Sequence, residues 1–330
     1  MQIQIPHSKP YIGQEEITAV TRVLRSGQLA QGKEVQHFEL ECAQVLRRKY
    51  AVAVSSGTAA LHLALGALGV PPEESVAVPS YCCAALVTAV RLQQAKPILC
   101  DIGDDCNLDP SLVPDYCKFA IVPHLFGAPA KLPSGVTIVE DIAQSMGGAG
   151  GRATPVAVTS FYATKLMTTG EGGMLLTDNA AIADYARDRR EYDNRDDFKV
   201  RYPYKMTDLQ AVIGRVQLRR LPRFLARRRE IAERYDEAFN YLPLRLPDPE
   251  GHVFFRYVVG TERRADLETH LRKYGIEAKR PVHCPMHHLL GGVFPVSQKA
   301  HDECLSLPIY PAMIEGELRH VIESVHRFFN

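Results

Sequence analysis

Apolar positions along this chain recur at two different spacings. Between residues 14 and 26, Ile17, Val20 and Leu24 fall on one face of a helix that Gly27 would stop, and Val35, Phe38, Cys42, Val45 and Leu46 mark a second amphipathic helix. From residue 50 the pattern changes to short, nearly continuous apolar runs at 50–54, 75–79, 97–101, 119–123 and 136–140, with two more at 158–162 and 174–177. Such runs alternating with helical or short connecting segments predict an α/β fold built on a mostly parallel sheet covered by helices on both faces. In sheets of that kind ligands bind beyond the carboxyl ends of the strands, which is where Ser55, His124, Asp141 and Lys165 all fall.

Further along, Thr207-Asp-Leu-Gln210 fits a capping box opening a helix through Arg219, and Pro222 is expected to start another that continues to about Tyr241. The segment 187–201 is dense in both charge signs and weak in period, so it reads as a surface connection. A proline-rich break at 242–249 resets the pattern. Beyond it, a strand at 253–259, a helix at 264–274 ending at Gly275, a short extended run and two more helices predict a smaller α+β domain. The expected organisation is a large domain over residues 1–240, including the N-terminal helices, and a small C-terminal domain over 241–330.

Charge narrows the function classes. The chain carries 39 Lys plus Arg against 38 Asp plus Glu, so no net field favours nucleic acid or a membrane surface. The arginines from Arg215 to Arg229 are followed by Glu230, Glu233, Asp236 and Glu237 and read as a solvated helix face. Residues 1–9 lack the apolar core of a signal peptide and no apolar stretch reaches membrane-span length, so a cytoplasmic location is expected. Eight cysteines without a framework spacing are expected to be reduced, and the vicinal Cys82 and Cys83 to pack rather than bridge.

Three segments carry chemistry. Lys165 lies between two strand-like runs and before Thr-Thr-Gly-Glu-Gly-Gly173, at a strand end over partly buried surroundings. Burial disfavours the ammonium form, so such an amine can form a Schiff base near neutral pH. Asp141 closes another apolar run, Val136-Thr-Ile-Val-Glu-Asp141. Ser55-Ser-Gly57-Thr58-Ala59 follows a strand and opens an apolar helix, whose unpaired N–H groups attract an anion that Gly57 lets approach closely. Lysine for an aldehyde, carboxylate for a ring nitrogen and an anion site for a phosphate are what pyridoxal phosphate (PLP) requires. His283-Cys-Pro-Met-His287-His288 resembles a metal cluster in composition, but Pro285 interrupts it and no paired Cys or acidic ligand accompanies it, so no metal is expected.

Ser55-Ser-Gly-Thr-Ala-Ala-Leu61, Val139-Glu-Asp-Ile-Ala-Gln144 and Ser160-Phe-Tyr-Ala-Thr-Lys-Leu-Met-Thr-Thr-Gly-Glu-Gly-Gly173 resemble the DegT/StrS family of PLP-dependent nucleotide-sugar aminotransferases, from Lys9-Pro10 to Ser306-Leu-Pro-Ile-Tyr-Pro311. The resemblance implies PLP-dependent fold type I, with Lys165 in Schiff-base linkage to the cofactor and Asp141 on its pyridine nitrogen. Gln144 would contact the ring region, and Thr58, the Ala59 amide and Ser160 would hold the phosphate. It also implies a homodimer with sites near the interface, and transfer of an amino group from an amino acid such as glutamate to a nucleotide-linked keto-sugar. The resemblance places the region of His283 at the substrate; His124, after a strand, reads either as a residue approaching the cofactor and substrate or as a structural histidine. Two positions depart from the family's pattern: Cys83 where an aromatic ring usually stacks on the cofactor, and Pro203 where an asparagine reaches the neighbouring subunit's cofactor. Related dehydratases on this fold typically carry histidine at the lysine position, so Lys165 favours transamination over dehydration. A non-catalytic regulatory protein on the same scaffold is the other alternative.

Overall fold

The computed structural model describes residues 4–193 and 195–330, so residues 1–3 of the N-terminal stretch and Asn194 of the charged connection lie outside the described residues. Two N-terminal helices, α1 (Gln14–Ser26) and α2 (Lys33–Val45), precede the alternation β1 (Tyr50–Val54), α3 (Gly57–Ala67), β2 (Ser75–Pro79), α4 (Ala84–Leu92) and β3 (Lys96–Cys100). Then follow β4 (Phe119–Pro123), β5 (Thr137–Asp141), β6 (Val156–Ser160), β7 (Gly173–Thr177), α5 (Ala180–Arg189) and α6 (Asp208–Phe239). Seven strands form one sheet in the order β1-β7-β6-β5-β4-β2-β3, and only β7 runs against its neighbours. The reversal has a simple cause. A parallel return needs a crossover of a dozen or more residues, usually a helix, whereas residues 161–172 contain none and turn straight back. That tight return carries Lys165.

The strands are buried on both faces, as their apolar runs require. One side is filled by α3 and α4, with Leu61, Leu63, Leu65 and Leu86 against Val52, Val78, Ile121 and Val158. On the other, α2 and α6 bring Phe38, Ala211, Leu218 and Leu221 against Ala53, Ala157 and Leu176. Phe38 packs 5.1 Å from the ring of Phe161, the first residue of the Lys165 turn. Burying such a side chain contributes roughly 1.5–3 kcal/mol, and here it also anchors the turn.

The remaining elements are β8 (Tyr257–Gly260), α7 (Arg264–Lys273), α8 (His287–Leu290), α9 (Pro295–Glu303), β9 (Cys304–Leu307) and α10 (Glu315–Phe329). Strands β8 and β9 pair antiparallel, and their core joins Tyr257, Leu305 and Leu307 to Leu267, Leu271, Val321 and Val325. Two segments run across residue 240: Ile231, Tyr235 and Phe239 of α6 belong to this second core, and Ile5 bridges to Ile276.

Several expectations are corrected. Helix α6 is continuous through Pro222, because the missing N–H removes one bond while Leu218, Leu221 and Phe224 are buried on both sides of it. Ile17 and Leu24 of α1 are each 54 % exposed; Val23 and Glu16 face inward instead, Glu16 being drawn in by Arg220 and Gln217. Val45 is likewise half exposed. The strand expected at 253–259 begins only at Tyr257. The arginine-rich stretch of α6 is not one solvated face: Arg215 pairs with Glu34 and Glu41, Arg220 with Glu15 and Glu16, and Arg228 is buried. Among the described residues no helix is long and apolar enough to cross a membrane.

Candidate active site

Five strand ends open on one side of the sheet. Val54 of β1 leads into Ser55–Gly57, Pro79 of β2 into Ser80–Cys83, Pro123 of β4 into His124, while β5 ends at Asp141 and β6 at Ser160. Lys165, Asp141 and Cys83 act on one another's charge, which puts the three side chains in one site. Burial pulls the Lys165 ammonium below its ordinary value, opposed by Cys83 and Asp141 and reinforced by Arg256. Burial pushes Asp141 up, opposed by Lys165 and by the Ala143 N–H that its Oδ1 accepts at 2.9 Å. Cys83 is open to solvent, yet the atoms crowded round its thiol raise it, and Lys165 draws it back. A lysine biased toward the free amine thus stands beside a carboxyl group biased toward keeping its proton.

Gly57, Ser160 and the start of α3 come together as the candidate anion cradle. A Cβ on Gly57 would lie 2.8 Å from the Ser160 Cβ, so the helix start and the end of β6 touch only because residue 57 has no side chain. A Cβ on Gly173 would overlap the Ser56 carbonyl. The N-cap Ser56 Oγ accepts the Ala59 N–H at 3.1 Å, so the Ala59 amide expected at the phosphate is already engaged. The Gly57 and Thr58 N–H groups at the same helix start have no acceptor among the described residues. The site residues therefore fit PLP: amine, carboxyl and a steric cradle with free N–H donors converge.

A family match covers residues 10–326, described as the DegT/DnrJ/EryC1/StrS aminotransferase family. The chain belongs to that family. It is 35% identical to the spore coat polysaccharide biosynthesis protein SpsC of Bacillus subtilis (strain 168), over 97% of this chain and 96% of the relative. The crystal structure of S. venezuelae DesV in complex with a ketimine intermediate superposes with a TM-score of 0.89 at 31% identity, covering 96% of this chain and 94% of that one. NtdA from Bacillus subtilis with bound cofactor PMP gives a TM-score of 0.90 at 25% identity, covering 99% and 87%. The protein is accordingly a PLP-dependent aminotransferase of fold type I.

Within this DegT-family site, the remaining candidates fall into place unevenly. The Gln144 Oε1 accepts the Phe126 N–H at 2.8 Å, holding a left-handed backbone at Phe126 (φ 62). His124 is withdrawn from it: Nε2 bonds the Glu140 carboxylate at 2.9 Å and Nδ1 accepts the Ala130 N–H at 2.9 Å, so neither ring nitrogen is left for substrate. His283 is exposed on a cleft beside α7. Its neighbours do not gather a metal site, since His287 bonds Ser80 at 2.7 Å and both His287 and His288 bond Gln298. Pro203 is exposed between Tyr202 and Tyr204, whose rings stack 5.0 Å apart, and the Tyr204 carbonyl accepts the Ser55 N–H at 2.8 Å.

Two residues were missed by the sequence reading. The Phe255 ring lies 5.3 Å from the Lys165 Nζ, and Arg256 follows it. Their segment hydrogen-bonds the 126–127 turn through Val253 N to Gly127 O and Arg256 N to Phe126 O. The signal available was an arginine inside an apolar run, a charge that burial makes costly unless it has a task.

Proposed function

We propose that this protein transfers the amino group of an amino acid, glutamate being the first candidate, to the carbonyl carbon of a nucleotide-linked keto-sugar. The observation that carries the reading is the convergence of a depressed Lys165 amine, a raised Asp141 carboxyl and the Gly57–Ser160 cradle. PLP, when bound, supplies a carbonyl for the amine and an electron-accepting ring. Lys165, as the free amine, removes and returns the proton at the substrate carbon. Asp141 would hold a proton at the ring nitrogen, the Gly57 and Thr58 N–H groups and Ser160 would fix the phosphate end, and Phe255 covers Lys165 on one side. Cys83 occupies the stacker's position without a ring.

A nucleotide-linked substrate is supported by the cleft of about 460 Å³ lined by Arg264, Arg272, Lys279, Arg280 and His283, with Glu268 pairing Arg264 and Arg272. Arg280 donates to His301 at 2.6 Å, a ring that burial keeps neutral, so Arg280 is a cation with no carboxylate partner among the described residues, suited to a diphosphate. SpsC's role in polysaccharide biosynthesis agrees with a sugar acceptor. We further propose a homodimer, supported by the half-exposed Ile17 and Leu24 on α1. A reducing, cytoplasmic setting accords with eight free cysteines.

Incubating the PLP-loaded protein with glutamate and a panel of keto-sugars, free and nucleotide-linked, tests the reading by mass spectrometry. An amino-sugar from a nucleotide-linked substrate is expected; amination of free sugars alone would remove the nucleotide linkage. Sedimentation tests the dimer: Ile17→Glu with Leu24→Glu should yield monomers, and an unchanged dimer would place the interface elsewhere.

A further inference from the structure

Three cations gather where the second sheet meets the active-site turns. The Arg256 Cζ lies 5.0 Å from the centroid of the Phe255 ring, the same ring that the Lys165 Nζ approaches to 5.3 Å. Behind them Arg228 donates through Nη1 to the carbonyls of Phe254 (3.2 Å), Phe255 (3.0 Å) and Ile309 (3.0 Å). No carboxylate acts on either arginine among the described residues; burial draws Arg256 down to about 10, and burial together with Arg256 draws Arg228 down to about 9. Both remain charged at neutral pH.

The hydrogen bonds of Arg256 are incomplete. Its Nη1 meets the His7 ring at 3.0 and 3.1 Å, and His7 is neutral there, pulled down to about 2 by burial and by Arg256, Lys279 and Arg228. Among the described residues the Nε and Nη2 groups have no hydrogen-bond partner. These two N–H donors share one edge of the guanidinium, the edge that matches a carboxylate through two parallel bonds. A half-buried cation with a free bidentate edge and no counterion is a seat for an anion from outside the chain.

Position selects which anion. In an α-amino acid the carboxylate is borne on the carbon next to the amine, which puts its oxygens roughly 3 Å from the nitrogen that replaces Lys165's. Arg256 shares the Phe255 ring with Lys165, whereas the cofactor's phosphate belongs to the Gly57–Ser160 cradle and a nucleotide's diphosphate is separated from the reacting carbon by the sugar. We propose that Arg256 binds the carboxylate of the amino donor through Nε and Nη2, an inference that rests on the aminotransferase reading above.

The test uses the PLP-loaded protein and glutarate, a dicarboxylate without an amine, so that binding is read by calorimetry without turnover. Loss of a bidentate charge-assisted pair predicts glutarate binding about tenfold to 150-fold weaker in Arg256→Gln, with Arg256→Lys between the two because it keeps the charge but not the fork. In the half-reactions, the Arg256→Gln variant should raise the glutamate concentration needed for half-maximal rate while leaving that for the keto-sugar unchanged. Equal glutarate binding by wild type and Arg256→Gln overturns the proposal, as does a change confined to the keto-sugar half-reaction, which would make Arg256 a phosphate contact. Arg256-dependent glutarate binding in a protein that aminates no sugar would leave the carboxylate seat standing and sink the sugar reading instead.

Discussion

The Glu140 carboxylate and the His124 imidazole meet at 2.9 Å in the interior, with Glu140 only 1 % and His124 only 2 % exposed. Glu140 also accepts from the Gly151 N–H and the Thr154 hydroxyl, each at 2.8 Å. Its neighbour Asp141 projects the other way, toward Lys165, because successive side chains on a strand alternate. Two adjacent carboxylates therefore have different tasks, one structural and one in the site.

Exchanging each for its amide separates those tasks. Glu140→Gln should destabilise the protein by about 1–3 kcal/mol, since a donor NH2 now faces donors, yet leave turnover per folded molecule near wild type. Asp141→Asn should keep stability and lose about tenfold to 150-fold in turnover from the lost charge-assisted bond alone. Denaturant titration and steady-state rates on both variants check this; turnover lost in Glu140→Gln and kept in Asp141→Asn would reverse the assignment.

Lys165 is the expected point of covalent attachment. Burial holds its ammonium below the ordinary value, so it should react with PLP near neutral pH, and borohydride should fix the cofactor on this residue. Peptide mapping decides it. An adduct on another lysine, or none with excess PLP, would contradict the site.

The Gly57–Ser160 contact predicts a compensating pair. Gly57→Ala should weaken PLP binding at least tenfold, because the new methyl and the Ser160 Cβ cannot both stay 2.8 Å apart, while the helix itself gains from losing a glycine. Removing the Ser160 side chain in Gly57→Ala/Ser160→Gly should recover part of that loss. Fluorescence titration of the cofactor-free variants would show it; no effect of Gly57→Ala would mean that the cradle lies elsewhere.

His7 makes stability depend on pH in a defined window. Its folded value is depressed from 6.5 to about 2, so below 6.5 the unfolded chain takes up a proton that the folded chain refuses. Stability present above pH 6.5 is therefore lost as pH falls, with a share from His7 of up to about 1.4 kcal/mol per pH unit. His7→Gln should flatten the decline by that amount between pH 6 and 4 in urea titrations. An unchanged slope would show that His7 is already protonated in the folded state.

Much of this architecture was legible because it rests on local pattern. Apolar runs buried on both faces located all seven strands of the main sheet to within a residue or two, the Thr207 cap opened α6, and Lys165, Asp141 and Ser55–Gly57 fell at strand ends. Tertiary structure decided what depends on partners distant in sequence. Whether Ile17 or Val23 of α1 turned inward was set by Arg220 and Gln217 drawing Glu16 down. Pro222 did not break α6, because buried contacts on both sides outweighed one missing hydrogen bond. His124 was withdrawn from the site by Glu140, and Phe255 and Arg256 were brought to Lys165 by backbone pairing with the 126–127 turn. Period and composition record which residues must be buried; they do not record which buried charges meet, since that follows from how separate segments pack, 16 residues apart for His124 and Glu140 and 204 for Glu16 and Arg220.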